Sequence, residues 1–150
     1  MPARPFTTFN FKVSLEREDQ GTPLCDAEFS ECDGLEITME PKTIREGGNN
    51  ARPIHLAGPV SYGQLTLKRG MTANFDLWNW FEQVQQDRRL RVSGEILVLE
   101  SDRSRTNVRF VVSGCLPIKL KAPALSAKDG QIAIEELQIA YEQLHLEPGG

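Results

Sequence analysis

Apolar and polar residues alternate along most of this chain with a period of two, and one stretch shifts to the spacing of a helix. From Phe9 the order is strict: Phe9, Phe11, Val13 and Leu15 are apolar, while Asn10, Lys12 and Ser14 are polar. That predicts a strand with one dry and one wet face. A charged turn holding Gly21 and Pro23 follows, and Leu24 to Cys32 predicts a second strand that completes a hairpin. Asp33-Gly34 marks another turn, after which Ile37 and Met39 alternate with Glu36, Thr38 and Glu40. Leu65 and Leu67 alternate with Thr66 and Lys68 until Gly70 breaks the pattern. Arg91 to Glu100 reads as a strand with a central apolar run, Ile96 to Leu99. Val108, Phe110 and Val112 alternate again, as do Leu116, Ile118 and Leu120. Pro117 lies among the last three and has no N–H for a ladder, so it belongs at an edge, a bulge or a strand start.

The helical stretch lies within Tyr62 to Val84, around which the rest is organised. Leu77, Trp78, Phe81 and Val84 form an apolar stripe and are the packing anchors against a sheet, with Trp80 off that stripe. Thr72 or Asn74 caps the helix, and Asp76 sits in its first turn, where a carboxylate suits the positive end of the dipole. The C-terminal run, Gln131 to Glu147, admits two readings. Ile134, Leu137, Tyr141 and Leu144 fit a helical stripe, and Leu137, Ile139 and Tyr141 fit a strand face. Residue propensities lean towards helix.

Residues 1–8 read as a short arm. Thr43 to Tyr62 holds Gly47, Gly48, Asn49, Asn50, Pro53, Gly58 and Pro59, too many breakers for a regular core element. Long loops of this kind are functional or disordered. Ile54, Leu56 and Val60 within it need an apolar partner, from the chain's own core or from a neighbouring subunit.

Composition narrows the function. The chain has 150 residues, which fits a single domain, and its 25% charged and 39% hydrophobic residues are those of a folded globular protein. A formal net charge of -4 gives no electrostatic grip on nucleic acid or an anionic membrane. The N-terminus lacks the apolar core of a signal peptide, and no run reaches the length of a membrane span, so folding in the cytoplasm is expected. The three cysteines, Cys25, Cys32 and Cys115, have no paired spacing and read as reduced thiols.

Candidate chemistry is sparse. His55 and His145 are the two histidines, and neither has a second ligand at metal spacing. No serine stands in a G-x-S-x-G elbow, and Gly47-Gly48 is not followed by the Lys-Ser/Thr of a phosphate loop. Glu135 and Glu136 read as solvated charge, and the basic groups at Lys68-Arg69, Arg88 to Arg91 and Arg103 to Arg109 as salt bridges or solubility. The expectation is a non-enzymatic protein without metal or cofactor.

Several blocks together resemble a known family. They are Phe9 to Val13, Phe29 to Leu35, Ile44 to Asn50, Leu65 to Gly70, Leu77 to Phe81 and Ala133 to Glu142. In this order, and over nearly the whole chain, they resemble phage tail tube proteins of contractile tails and phage-tail-like injection particles. Arg45 to Asn50 and Leu67 to Gly70, followed by the Trp-x-Trp helix, are the most specific.

The resemblance implies a mainly β fold of tail-tube type with one α-helix: an antiparallel β-barrel or sandwich with the helix on its flank. It implies that the C-terminal run is strand, with a bulge near Glu135 where the alternation changes phase. It also implies six-membered rings stacked into a hollow inner tube that conducts DNA or protein inside a sheath. Partners would be the sheath protein, a baseplate hub or adaptor and a tape-measure protein. The particle would be assembled in the cytoplasm and then be part of a virion or a released injection particle. Residues 43–62 would be an inter-subunit loop, with Arg45, Glu46, Gly47, Gly48, Asn49 and Asn50 contacting a neighbour. A tube-initiating adaptor ring at the baseplate is the related alternative. A monomeric β-sandwich binding module is the alternative of another class.

Overall fold

Alternation dominates the fold as it dominates the sequence. In a computed structural model, which describes residues 11–45, 53–99, 106–125 and 133–148, strands β1 (Phe11–Arg17), β2 (Pro23–Ala27), β3 (Glu31–Asp33), β4 (Ile37–Met39), β5 (Lys42–Arg45), β6 (Pro53–Leu56), β7 (Val60–Tyr62) and β8 (Gln64–Gly70) precede helix α1 (Asp76–Gln86). Strands β9 (Val92–Leu99), β10 (Thr106–Lys121), β11 (Ile134–Ala140) and β12 (Gln143–Pro148) follow it. The arm expected over residues 1–8, Phe9 itself and the turn at Ser126 to Gly130 fall outside the described residues.

The main sheet is eight-stranded and antiparallel, in the order β2-β1-β9-β10-β11-β8-β3, with β12 also paired to β10. It folds into two leaves because β10 belongs to both. Residues Thr106 to Cys115 pair with β9, and Leu116 to Lys121 pair with β11. Between them the register shifts at Val112/Cys115, and Gly114 has φ +65°. A bulge bends a strand, and a glycine takes that backbone conformation without strain. A second shift, between Pro117 and Lys119, places the proline at a bulge. Among the described residues no ladder joins β2 to β3, so the barrel is not closed there.

Both leaves send their dry faces into one core. Val13, Leu15, Leu65, Leu67, Val92, Val112, Leu137 and Ile139 are fully buried there with Leu77 and Trp80 of α1. Each such aliphatic side chain contributes about 1.5–3 kcal/mol through its removal from water.

Several expectations need correction. Leu24 to Cys32 is not one strand: β2 ends at Ala27 and β3 begins at Glu31, on the other leaf. Phe29 is buried in the crossing, and the Ser30 N–H and hydroxyl both donate to the Lys68 carbonyl, at 2.8 and 3.0 Å. Neither Thr72 nor Asn74 is the N-cap: Phe75 holds that position with no side-chain cap bond, the helix starts at Asp76, and Asn74 Oδ1 accepts from the Asp76 N–H at 3.2 Å. Thr72 instead accepts from the Asn74 N–H at 3.2 Å. Trp80, expected off the stripe, is fully buried, while Trp78, Phe81 and Val84 are half-buried on its flanks. Trp80 and Leu77, three residues apart, share the innermost face of α1.

The C-terminal run is strand, as the resemblance implies and against its propensities. No bulge interrupts it at Glu135, since β11 pairs with β8 in unbroken register from Ile134↔Gly70 to Ala140↔Gln64. The alternation does not change phase. Glu135 occupies an inward position in series with Leu137, Ile139 and Tyr141, and all four are buried.

Candidate assembly surfaces

Residues 37–45 and 53–62 run antiparallel to one another in two successive ladders, as the two arms of an exposed hairpin. Nearest the core, β4 pairs with β7 from Ile37↔Tyr62 to Met39↔Val60, and beyond it β5 pairs with β6 from Lys42↔Leu56 to Arg45↔Pro53. The described breakers, Pro53, Gly58 and Pro59, lie at a strand start or between strands. A Cβ on Gly58 would collide with the Glu40 carbonyl, Pro53 stands at the start of β6, and Pro59 lies just before β7. Directly paired residues share a face, so Ile37, Met39 and Val60 lie together on the inner ladder, and Ile44, Ile54 and Leu56 on the outer one. All six are exposed, Val60 by 44% and Ile37 by 59% of their surface. Such a run of uncovered apolar side chains marks an interaction surface.

The base of this hairpin is fixed. Tyr141, just after β11, accepts a hydrogen bond from the Glu36 N–H at 3.2 Å and donates to the Gly34 carbonyl at 2.7 Å. Its ring lies 5.6 Å from that of Tyr62, centroid to centroid. Burial raises the pKa of its hydroxyl. Gly34 has φ +103°, and a Cβ there would strike the Gln64 carbonyl.

A second cluster fixes the helix. Arg69 on β8 and Glu135 on β11 are cross-strand partners on the inward face, joined from Nε to Oε1 at 2.6 Å. Arg69 Nη2 also donates to Asp76 Oδ1 at the start of α1. The Trp78 indole donates to the other Glu135 oxygen at 2.9 Å. The Phe29 ring packs 5.3 Å from the guanidinium, and Cys25 Sγ lies 3.8 Å from Nη1. Burial opposes the Arg69 charge, but the hydrogen bonds and charges of Asp76 and Glu135 outweigh it, so the arginine's pKa is raised. This corrects the reading of Glu135 as solvated charge, and the salt bridges of Arg69 lie inside the chain's own core. The sequence signal was parity: Arg69 continues the inward series Leu65, Leu67, and Glu135 opens the inward series Leu137, Ile139, with opposite charge.

The outer faces of the leaves carry pairs of little energetic weight. Lys68 and Glu31 approach to 3.4 Å, Lys12 and Asp26 to 3.1 Å, and Arg109 and Glu147 to 3.7 Å.

Of the residues expected to contact a neighbour, Arg45 closes β5 opposite Pro53, near the far end of the hairpin. Glu46, Gly47, Gly48, Asn49 and Asn50 lie outside the described residues. His55 is on the exposed outer ladder, 3.4 Å from the Thr43 hydroxyl, and His145 is exposed on β12. Among the described residues, no group of His, Cys, Asp and Glu is placed to hold a metal ion. Cys25, Cys32 and Cys115 are free thiols, and burial raises the pKa of each to about 12. That removes the thiolate on which nucleophilic chemistry depends.

Comparisons with known proteins agree with this architecture. The family described as T4-like virus tail tube protein gp19 matches residues 7–145. A chain in the cryo-EM structure of the anti-feeding prophage baseplate is 26% identical, with a TM-score of 0.83 and 98% of each chain covered. A chain of the PVC extracellular contractile injection system, in its extended sheath-tube complex, shares the fold at 19% identity and a TM-score of 0.81, covering 96% of this chain and 92% of that one. Hcp1 from Flavobacterium johnsoniae shares it more distantly, at 14% identity and a TM-score of 0.52, with 92% and 96% covered. No curated protein sequence matches.

Proposed function

The chain belongs to the T4-like virus tail tube protein family, and from that premise we propose that it is the inner-tube subunit of a contractile phage tail or injection particle. Six copies form a ring, and rings stack into a hollow conduit for DNA or protein cargo. A sheath surrounds the tube, a baseplate hub or adaptor starts it, and a tape-measure protein sets its length. Its role is structural and not enzymatic. Assembly takes place in the cytoplasm, and the finished particle acts from a virion or after release.

The observation that carries this reading is the exposed apolar hairpin, with Ile37, Met39, Ile44, Ile54, Leu56 and Val60 uncovered on one chain. In a tube these side chains meet a neighbouring subunit, and Arg45 to Asn50 contact it. Ring formation by identical subunits needs such a heterologous surface. A baseplate adaptor ring is the second reading, favoured by the 26% identity to a chain in a baseplate structure. Electron microscopy of the purified protein tests both. Long tubes are expected for the main subunit, and isolated rings for an adaptor. A monomer at every concentration overturns both and favours a solitary binding module.

A further inference from the structure

We propose that the open end of the core is closed by the chain's own N-terminal segment, with the Phe9 ring seated in the apolar cleft beyond Phe11. The cleft lies between the two leaves. Phe11, Ile96, Val98 and Phe110 line it from one side, and Cys32 of β3 with Leu35 from the other. The contact forms within a single chain, so it does not depend on the tube reading.

The core is unfinished there. Cross-strand partners place Val13, Ile96 and Phe110 in one row and Phe11 and Val98 in the next. Val13 is 0% and Ile96 2% exposed, whereas Phe11, Val98 and Phe110 are half-buried. Across the cleft, Cys32 and Leu35 are half-buried as well. Apolar side chains that pack on a core from one side leave their other side in water, and covering that side is favourable.

The chain that leads up to the cleft carries a matching ring. The described residues begin at Phe11, which itself lines the cleft, and residues 1–10 precede it. Side chains two apart on a strand share a face, so Phe9 continues the series Phe11, Val13 and Leu15, of which the last two are 0% exposed. Asn10 falls in the polar series of Lys12 and Ser14. Two residues of strand advance about 6.6 Å, which carries the next ring past Phe11 and over the cleft. The β1–β2 ladder starts at Val13↔Ala27, so among the described residues no strand flanks Phe11 on that side and the approach is open.

An occupant from the same chain also has the advantage of proximity. Phe9 is tethered two residues from the lip of the cleft, so seating its ring costs less freedom than capturing one from a second copy. A neighbouring copy is the competing occupant, and it would leave the cleft uncovered in a monomer.

The test follows the half-buried Cys32 thiol, which lines the cleft, with Cys25 and Cys115 as controls inside the core. Mass spectrometry after limited alkylation of the native full-length protein gives the rate at each thiol. Phe9→Ser is expected to raise the rate at Cys32 roughly tenfold or more and to leave Cys25 and Cys115 as they are. Phe9→Leu is expected to stay near the wild-type rate. Phe9→Cys, treated with a short bismaleimide, should link to Cys32 within one chain and run as a monomer on a denaturing gel. An unchanged Cys32 rate in Phe9→Ser overturns the proposal. An equal rise at all three thiols overturns it as well, because Phe9 then supports the fold in general and not the cleft. A link from position 9 to Cys32 found only between chains also overturns it, since a second copy then supplies the ring.

Discussion

The Tyr141 hydroxyl donates to the Gly34 carbonyl at 2.7 Å and so ties the end of β11 to the base of the exposed hairpin. The same oxygen accepts from the Glu36 N–H at 3.2 Å. Removing this one oxygen leaves both backbone groups without it. Tyr141→Phe is expected to cost about 1–3 kcal/mol in urea unfolding. Hydrogen exchange at Glu36 and along β4 should quicken by more than in the main sheet. Equal changes everywhere would mean that Tyr141 only fills space.

The buried charges predict a non-additive double mutant. Glu135→Leu leaves Arg69 with Asp76 alone, and Arg69→Met leaves Glu135 buried without its cation. Either single change is expected to cost about 3–5 kcal/mol. Combined, they remove both charges from the interior, and the double mutant should be more stable than the sum of the single losses by about 1–3 kcal/mol. Denaturation midpoints of the four proteins measure this, and simple additivity would contradict the coupling.

Two glycines separate effects on the core from effects on the hairpin. Gly34 combines φ +103° with contact against the Gln64 carbonyl on β8, so Gly34→Ala should cost more than about 1 kcal/mol. Gly58 abuts the Glu40 carbonyl between two exposed ladders. Gly58→Ala should therefore speed exchange in β5 and β6 while changing global stability by less than about 1 kcal/mol. A global loss from Gly58→Ala as large as that from Gly34→Ala would show that the hairpin unfolds together with the core.

The thiols predict an alkaline limit. Burial raises Cys25, Cys32 and Cys115 from 9.0 to about 12, so the folded chain holds these protons more tightly than the unfolded one. Their stabilising contribution is complete below pH 9 and is lost as pH rises from there towards about 12. The urea midpoint should fall between pH 8.5 and 10.5 as assay conditions, roughly in step with this linkage, and fall less in a variant with all three changed to Ala. Identical slopes would assign the alkaline loss to other groups.

Much of the architecture was legible in the sequence because alternation encodes which strand face is dry. Val13 and Leu15, Leu65 and Leu67, and Leu137 and Ile139 all occupy the core that their spacing implies. Other features were hidden. The departure from strand around Phe29 is held by Ser30 donating to the Lys68 carbonyl, thirty-eight positions further on, which no local pattern carries. Glu135 looked solvated because its partners, Arg69 and Trp78, are brought to it only by strand pairing and helix docking. Trp80 outranked Trp78 as the buried ring for a related reason: the orientation of α1 is fixed by Asp76 bonding to Arg69, and no stripe of side chains records that contact. The hairpin was readable as unusual from its breakers, but its ladders were not, since short exposed strands carry little of the periodicity that burial imposes.

β10 is a single covalent thread through both leaves, and its bend at Gly114 is held by the Gly114 N–H donating to Glu18 at 2.8 Å, with Glu142 filling the place of a Cβ. A load applied to one leaf along this strand passes to the other through main-chain bonds, without relying on side chains sliding over one another. The stiffness of such a wall would be set by its backbone, and its weak points under tension would be the places where one molecule ends and the next begins.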